Sequence, residues 1–84
     1  MLDTKTQVVQ VLSSVLNLGD RSGGLNLSTP LLGAIPELDS MAVVSVLTAL
    51  EERFGFAIDD DEVDGRTFAS VGNLVSFVDG KLAQ

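Results

Sequence analysis

Apolar residues recur along this chain at steps of three and four in three places, and the polar residues around them mark where each run begins and ends. Over residues 3–18, Val8, Val11, Leu12, Val15 and Leu16 form a stripe that Val9 and Leu18 widen, while Thr6, Gln10, Ser13 and Ser14 fill the other side. This spacing predicts an amphipathic helix with Asp3 or Thr4 as its cap and Gly19 as its stop. Residues 40–54 contain neither Gly nor Pro, and Met41, Val44, Leu47, Leu50 and Phe54, with Val46, predict a second core-facing stripe closed by Gly55. A last helix is expected after its cap Ser70, with Val71, Leu74, Val75, Val78 and Leu82 as stripe. Gly72 there suits close packing, and Gly80 is expected to end or fray the helix, with Lys81 near the negative end of its dipole.

Residues 19–39 make a connector of about twenty residues, longer than compact domains usually keep without purpose. Arg21-Ser22-Gly23-Gly24 reads as a turn, and Pro30 and Pro36 forbid a long helix. Leu25, Leu27, Leu31, Leu32, Ile35 and Leu38 are too apolar for a free linker, so an ordered loop is expected, with a short helical turn near residues 29–32. Such a loop fits a bundle whose first and second helices are not tight antiparallel neighbours. Further on, Asp59-Asp60-Asp61-Glu62-Val63-Asp64-Gly65 invites comparison with a calcium loop, but the closing Glu of such a loop would fall at Val71. A solvated short helix capped by Asp59 is the better reading, so no metal site is expected. The fold class expected is all-α: one domain over residues 1–84, a four-helix bundle with a long ordered loop between helices one and two and a short third helix.

Composition narrows the function. The 84 residues carry 12 acidic and 5 basic side chains, a net charge of −7. This argues against nucleic acid and anionic membrane as partners and favours proteins with basic docking surfaces. Cys and His are both absent, which removes disulfides, the commonest metal ligands and the usual general base. The chain is therefore expected not to be an enzyme. Its N-terminus lacks the layout of a signal peptide and no apolar run is long enough to span a bilayer, so a cytoplasmic monomer is expected. Phe54, Phe56, Phe68 and Phe77, the only aromatics, read as core.

Candidate chemistry sits at Glu37-Leu38-Asp39-Ser40-Met41, where loop hands over to helix. A helix start has unpaired N–H groups and a partial positive charge, and both favour a phosphate joined to Ser40. Asp39 or Ser40 acting only as a cap is the plainer alternative. Beyond it, the helix face of Ala42, Val43, Ser45 and Thr48 carries no charge. A helix apolar almost all round in so small a protein is expected to offer a partner surface.

Three stretches resemble the acyl carrier protein family. Asp39-Ser40-Met41 is similar to its attachment motif. Leu50-Glu51-Glu52-Arg53-Phe54-Gly55-Phe56-Ala57-Ile58 is similar to the close of its second helix, and Ser70-Val71-Gly72-Asn73-Leu74-Val75 to the opening of its last. The resemblance implies that Ser40 bears a covalent 4′-phosphopantetheine from coenzyme A, delivered by a phosphopantetheinyl transferase, with Asp39 as the motif neighbour that positions it. Partners would be enzymes that load, modify and transfer acyl groups held as thioesters. They would dock on Met41, Ala42, Val43, Glu51 and Glu52. Ala42 and Ser45 stand where housekeeping members tend to be acidic, which implies a specialised lipid, polyketide or polysaccharide-tailoring pathway and more hydrophobic docking. The competing expectations are an unmodified helical module that docks through the second helix's apolar face, and a small acidic cation-binding protein.

Overall fold

Asp3, Asp39 and Ser70 each stand just before a helix, and each side chain accepts the backbone N–H three residues ahead. In the computed structural model, which describes residues 3–31, 33, 35 and 38–83 (backbone alone for 20–22 and 60), they open α1 (Thr4–Leu16), α2 (Ser40–Phe54) and α3 (Val71–Leu82). The acceptor bonds run from Thr6 N–H at 2.7 Å, Ala42 N–H at 2.8 Å and Asn73 N–H at 3.1 Å. All three caps have extended backbone, as a residue half inside a helix should.

The helix ends differ in part from expectation. Gly55 closes α2 in the left-handed conformation (φ 76°), its N–H returning to Glu51 O at 2.9 Å. In α1, however, the left-handed cap is Asn17 (φ 58°), two residues before Gly19, which is left-handed as well. Asn tolerates that region, and stopping early lets the Leu18 N–H reach Ser13 O at 3.0 Å while the Leu18 side chain turns into the core. Gly80 does not end α3, which continues to Leu82 before its cap Ala83, and Leu82 is exposed.

Among the described residues there are three α-helices, not four. The expected short third helix is a single 3₁₀ turn, Asp60–Glu62, closed by one backbone bond from Glu62 N–H to Asp59 O. A run of like charges followed by Gly65 gives too few propagating bonds to offset the cost of helix nucleation. The first connector holds a second 3₁₀ segment, Gly19–Gly24, and an isolated bridge at Pro30; Leu32 of the helical turn expected near residues 29–32 lies outside the described residues, and Ile35 N–H bonds Leu31 O at 3.1 Å. Pro30 bridges Ser70 in antiparallel fashion; Leu31 N–H bonds Ala69 O, Val71 N–H bonds Thr29 O and Gly72 N–H bonds Leu27 O at 2.8 Å. The loop thereby satisfies N–H groups that the start of α3 would otherwise leave unpaired. A Cβ at position 72 would lie 2.8 Å from Leu27 O, so Gly is what permits the approach. Leu25 and Ile35 are half-buried and Leu31 and Leu38 buried, whereas Leu27 is exposed. The expectations for Leu32, Pro36 and Glu37 lie outside the described residues.

The core gathers Val8, Leu12 and Leu16 of α1, Val46 and Leu50 of α2, Val71, Leu74 and Val78 of α3, and Leu31, Leu38 and Phe68 from the connectors. α1 packs against both other helices, so the long loop does not keep the first two apart. The phase of α2 is the main correction. Val46 and Leu50 are buried and Ala42, Val43, Leu47 and Ala49 half-buried, while Met41 and Val44 are 75% and 59% exposed. Of the face expected to be free, Ala42 and Val43 turn inward while Ser45 and Thr48 stay exposed, and Met41 and Val44 of the expected core stripe point out.

Candidate functional site

Ser40 occupies the first turn of α2, and its side chain is exposed. Asp39 before it is the cap proper. Its carboxylate holds Ala42 N–H, and its carbonyl accepts the first helical bond, from Val43 N–H at 2.9 Å. The division of labour follows from position. The cap side chain is committed to the helix, and the hydroxyl one residue later projects from an end whose dipole favours an anion.

Beside Ser40 lies a cavity of about 380 Å³. Leu38, Val43, Val63 and Phe68 make it apolar; Asp39, Ser40 and Asp64 are its ionic and hydroxyl lining, and Gly65 completes the wall. Asp64 faces the Arg66 guanidinium at 3.2 Å and takes Arg66 N–H at 2.9 Å; that guanidinium first, then the N–H, holds its carboxyl below the ordinary value. The wall is fastened at two further points. Glu51, half-buried near the end of α2, accepts Ile58 N–H at 2.7 Å, and Glu62 accepts Asp59 N–H at 2.8 Å and the Lys81 ammonium at 2.8 and 3.0 Å. The Asp59 N–H, then Lys81, keeps the Glu62 carboxyl below its ordinary value.

The residues singled out in the sequence are thus split. Asp39 and Ser40 share the cavity rim. Met41 is exposed on the outer face of α2 with Val44, Ser45, Thr48 and Glu52. Ala42 and Val43 are half-buried, Val43 in the cavity lining, and Glu51 is committed to the segment after α2. Glu52 lines a different cavity, of about 280 Å³, between α1 and α2, whose Arg53 donates to Gln10. Among the described residues no group of three acidic side chains is placed to hold a metal ion. Sequence reasoning missed Val63, Gly65 and Phe68 as cavity residues. They sit in a loop more than twenty positions from Ser40, and no periodicity links the two. An exposed hydroxyl at a helix start beside an apolar cavity fits a covalently tethered, partly apolar group.

No helix among the described residues is long and apolar enough to cross a membrane. A family model described as "phosphopantetheine attachment site" matches residues 6–78. The solved structure of a holo acyl carrier protein from Nitrosomonas europaea is 52% identical, over the full length of both chains, with a TM-score of 0.89. No curated protein matches the chain.

Proposed function

Since this chain belongs to the phosphopantetheine-attachment family, as a non-enzymatic acyl carrier protein with a covalent 4′-phosphopantetheine, we propose that Ser40 is the attachment point. The observation that carries this reading is the exposed Ser40 hydroxyl at the start of α2, with Asp39 already engaged as cap and an apolar cavity alongside. In the transfer, Ser40 Oγ attacks the pantetheine-side phosphorus of coenzyme A, the pyrophosphate P–O bond breaks, and 3′,5′-ADP leaves. The hydroxyl proton goes to a base on the transferase, since the neighbouring Asp39 carboxylate is engaged as the cap of α2. When bound, the arm supplies the thiol that a chain without Cys lacks, and on it acyl groups travel as thioesters.

Leu38, Val43, Val63 and Phe68 shelter the acyl chain from water, each buried CH₂ contributing about 0.8 kcal/mol. The docking face is the outer side of α2: Met41, Val44, Ser45 and Thr48, with Glu52 at its edge. Only the last of these is charged, so the docked contact is largely hydrophobic, while the net charge of −7 steers basic partners in at a rate that salt depresses. This supports a specialised setting in lipid, polyketide or polysaccharide tailoring, in the cytoplasm, with a transferase and acyl-loading, acyl-modifying and acyl-transferring enzymes as partners. The test is intact mass before and after incubation with coenzyme A and a broad-specificity phosphopantetheinyl transferase. One added phosphopantetheine, absent in Ser40→Ala, is expected. No gain from protein not already modified would leave an interaction module that acts by docking alone.

A further inference from the structure

We propose that the Glu62–Lys81 ion pair is the fastener of the cavity wall, and that Lys81 is a positioning residue which governs how well the cavity shields an acyl chain. The proposal rests on the reading of that cavity as the acyl shelter.

Two ion pairs are formed between described side chains. Arg66–Asp64 is short-range in sequence and lies open, its side chains 90% and 57% exposed. Lys81–Glu62 joins the last turn of α3 to the 3₁₀ turn nineteen residues earlier, with side chains only 11% and 27% exposed. Both Glu62 oxygens face the ammonium, and Oε2 also takes the Asp59 N–H. One carboxylate therefore closes its own turn and ties it to α3. Val63, Asp64 and Gly65, the next three residues, are cavity wall.

The turn has little else to hold it, because a single backbone bond closes it and no α-helix forms there. Removing the carboxylate charge would strand a largely covered ammonium, and removing the ammonium would leave the turn its two bonds between Asp59 and Glu62 with no tie to α3. Either change loosens the wall where Val63 lines the cavity. A long acyl chain would feel this; an acetyl group, too short to reach past Ser40 and the arm, would not.

The test uses the full chain as wild type, Lys81→Met, Lys81→Arg and Glu62→Gln, the last keeping an acceptor for Asp59 N–H. In the unmodified proteins, amide exchange at Glu62 is read with that at Leu74 as an internal reference. In proteins loaded with octanoyl- and acetyl-phosphopantetheine, the rate of thioester cleavage by hydroxylamine is read. Lys81→Met and Glu62→Gln are expected to speed Glu62 exchange and octanoyl cleavage about three- to fivefold, with Leu74 exchange and acetyl cleavage unchanged and Lys81→Arg close to wild type. Unchanged Glu62 exchange, or equal acceleration of both thioesters, would overturn the proposal. Wild type that refuses the arm at Ser40 would instead sink the carrier reading, and the exchange experiment would still decide whether the fastener exists.

Discussion

The starts of α2 and α3 each carry a serine and use it in opposite ways. At α3, Ser70 is the cap: its hydroxyl accepts Asn73 N–H, and the neighbouring Val71 and Gly72 N–H groups are bound by carbonyls of the first connector. At α2, Asp39 is the cap and Ser40 comes one place later, exposed, on the rim of a cavity. Moving a serine by one position relative to the cap turns a structural hydroxyl into an available one. Whether a helix start is buttressed by a loop or left open is the second half of the difference.

The sharpest way to break that contrast is to exchange the serines' fates. Ser40→Ala should abolish phosphopantetheine transfer while leaving the thermal midpoint within about 2 °C of wild type, since an exposed first-turn position carries little stability. Ser70→Ala should keep full transfer, read by intact mass. Transfer that persisted in Ser40→Ala would place the attachment elsewhere and collapse the comparison.

The buttress comes next. Gly72→Val should cost about 2 kcal/mol in denaturant unfolding, because its Cβ would press on Leu27 O, a backbone atom that cannot swing aside. Gly80, in the same helix, has open space around it, so Gly80→Ala should instead stabilise by about 0.5–1 kcal/mol through helix propensity. A Gly72→Val protein as stable as wild type would mean that the loop does not hold the start of α3. Ser70→Ala, which loses only the cap, should fall between these two with a loss of about 1 kcal/mol.

What could be read from the sequence divides along the same line. Caps act over three residues, so Ser70 declared its helix start, Asp3 or Thr4 and Asp39 or Ser40 narrowed the other two to a pair each, and Gly55 declared the end of α2. The serine proposed for attachment drew notice for the same reason, because its motif is local and two further stretches in order resemble the same family. The rotation of α2 was not legible. Met41 and Val44 recur at helical spacing just as Ala42, Val43 and Val46 do, and no charged residue separates the two sets before Glu51. Only packing on α1 and the connectors decides which set turns inward. The cavity was hidden for a related reason: Val63 and Phe68 meet Leu38 and Val43 through the fold alone.

The last distinction between helix starts is chemical, since a carboxylate cap titrates and a serine cap does not. Thr6, by its hydroxyl and then its N–H, holds the Asp3 carboxyl below its ordinary value, and Glu62 and Asp64 are lowered by the partners described above. A carboxyl whose folded value is depressed binds its proton more readily in the unfolded chain. Its contribution is therefore complete above the unfolded value, near 4.5 for Glu62, and is lost as pH falls through the lower folded value. On acidification, amide exchange should rise first at Asp59, below pH 4.5, and at Thr6, below pH 3.8, whose N–H groups those carboxylates hold. Asn73 N–H, held by a serine hydroxyl, should keep its protection until the whole domain unfolds. Simultaneous loss at all three amides, after correction for intrinsic exchange, would show that the caps melt with the fold and that their chemical difference has no local consequence.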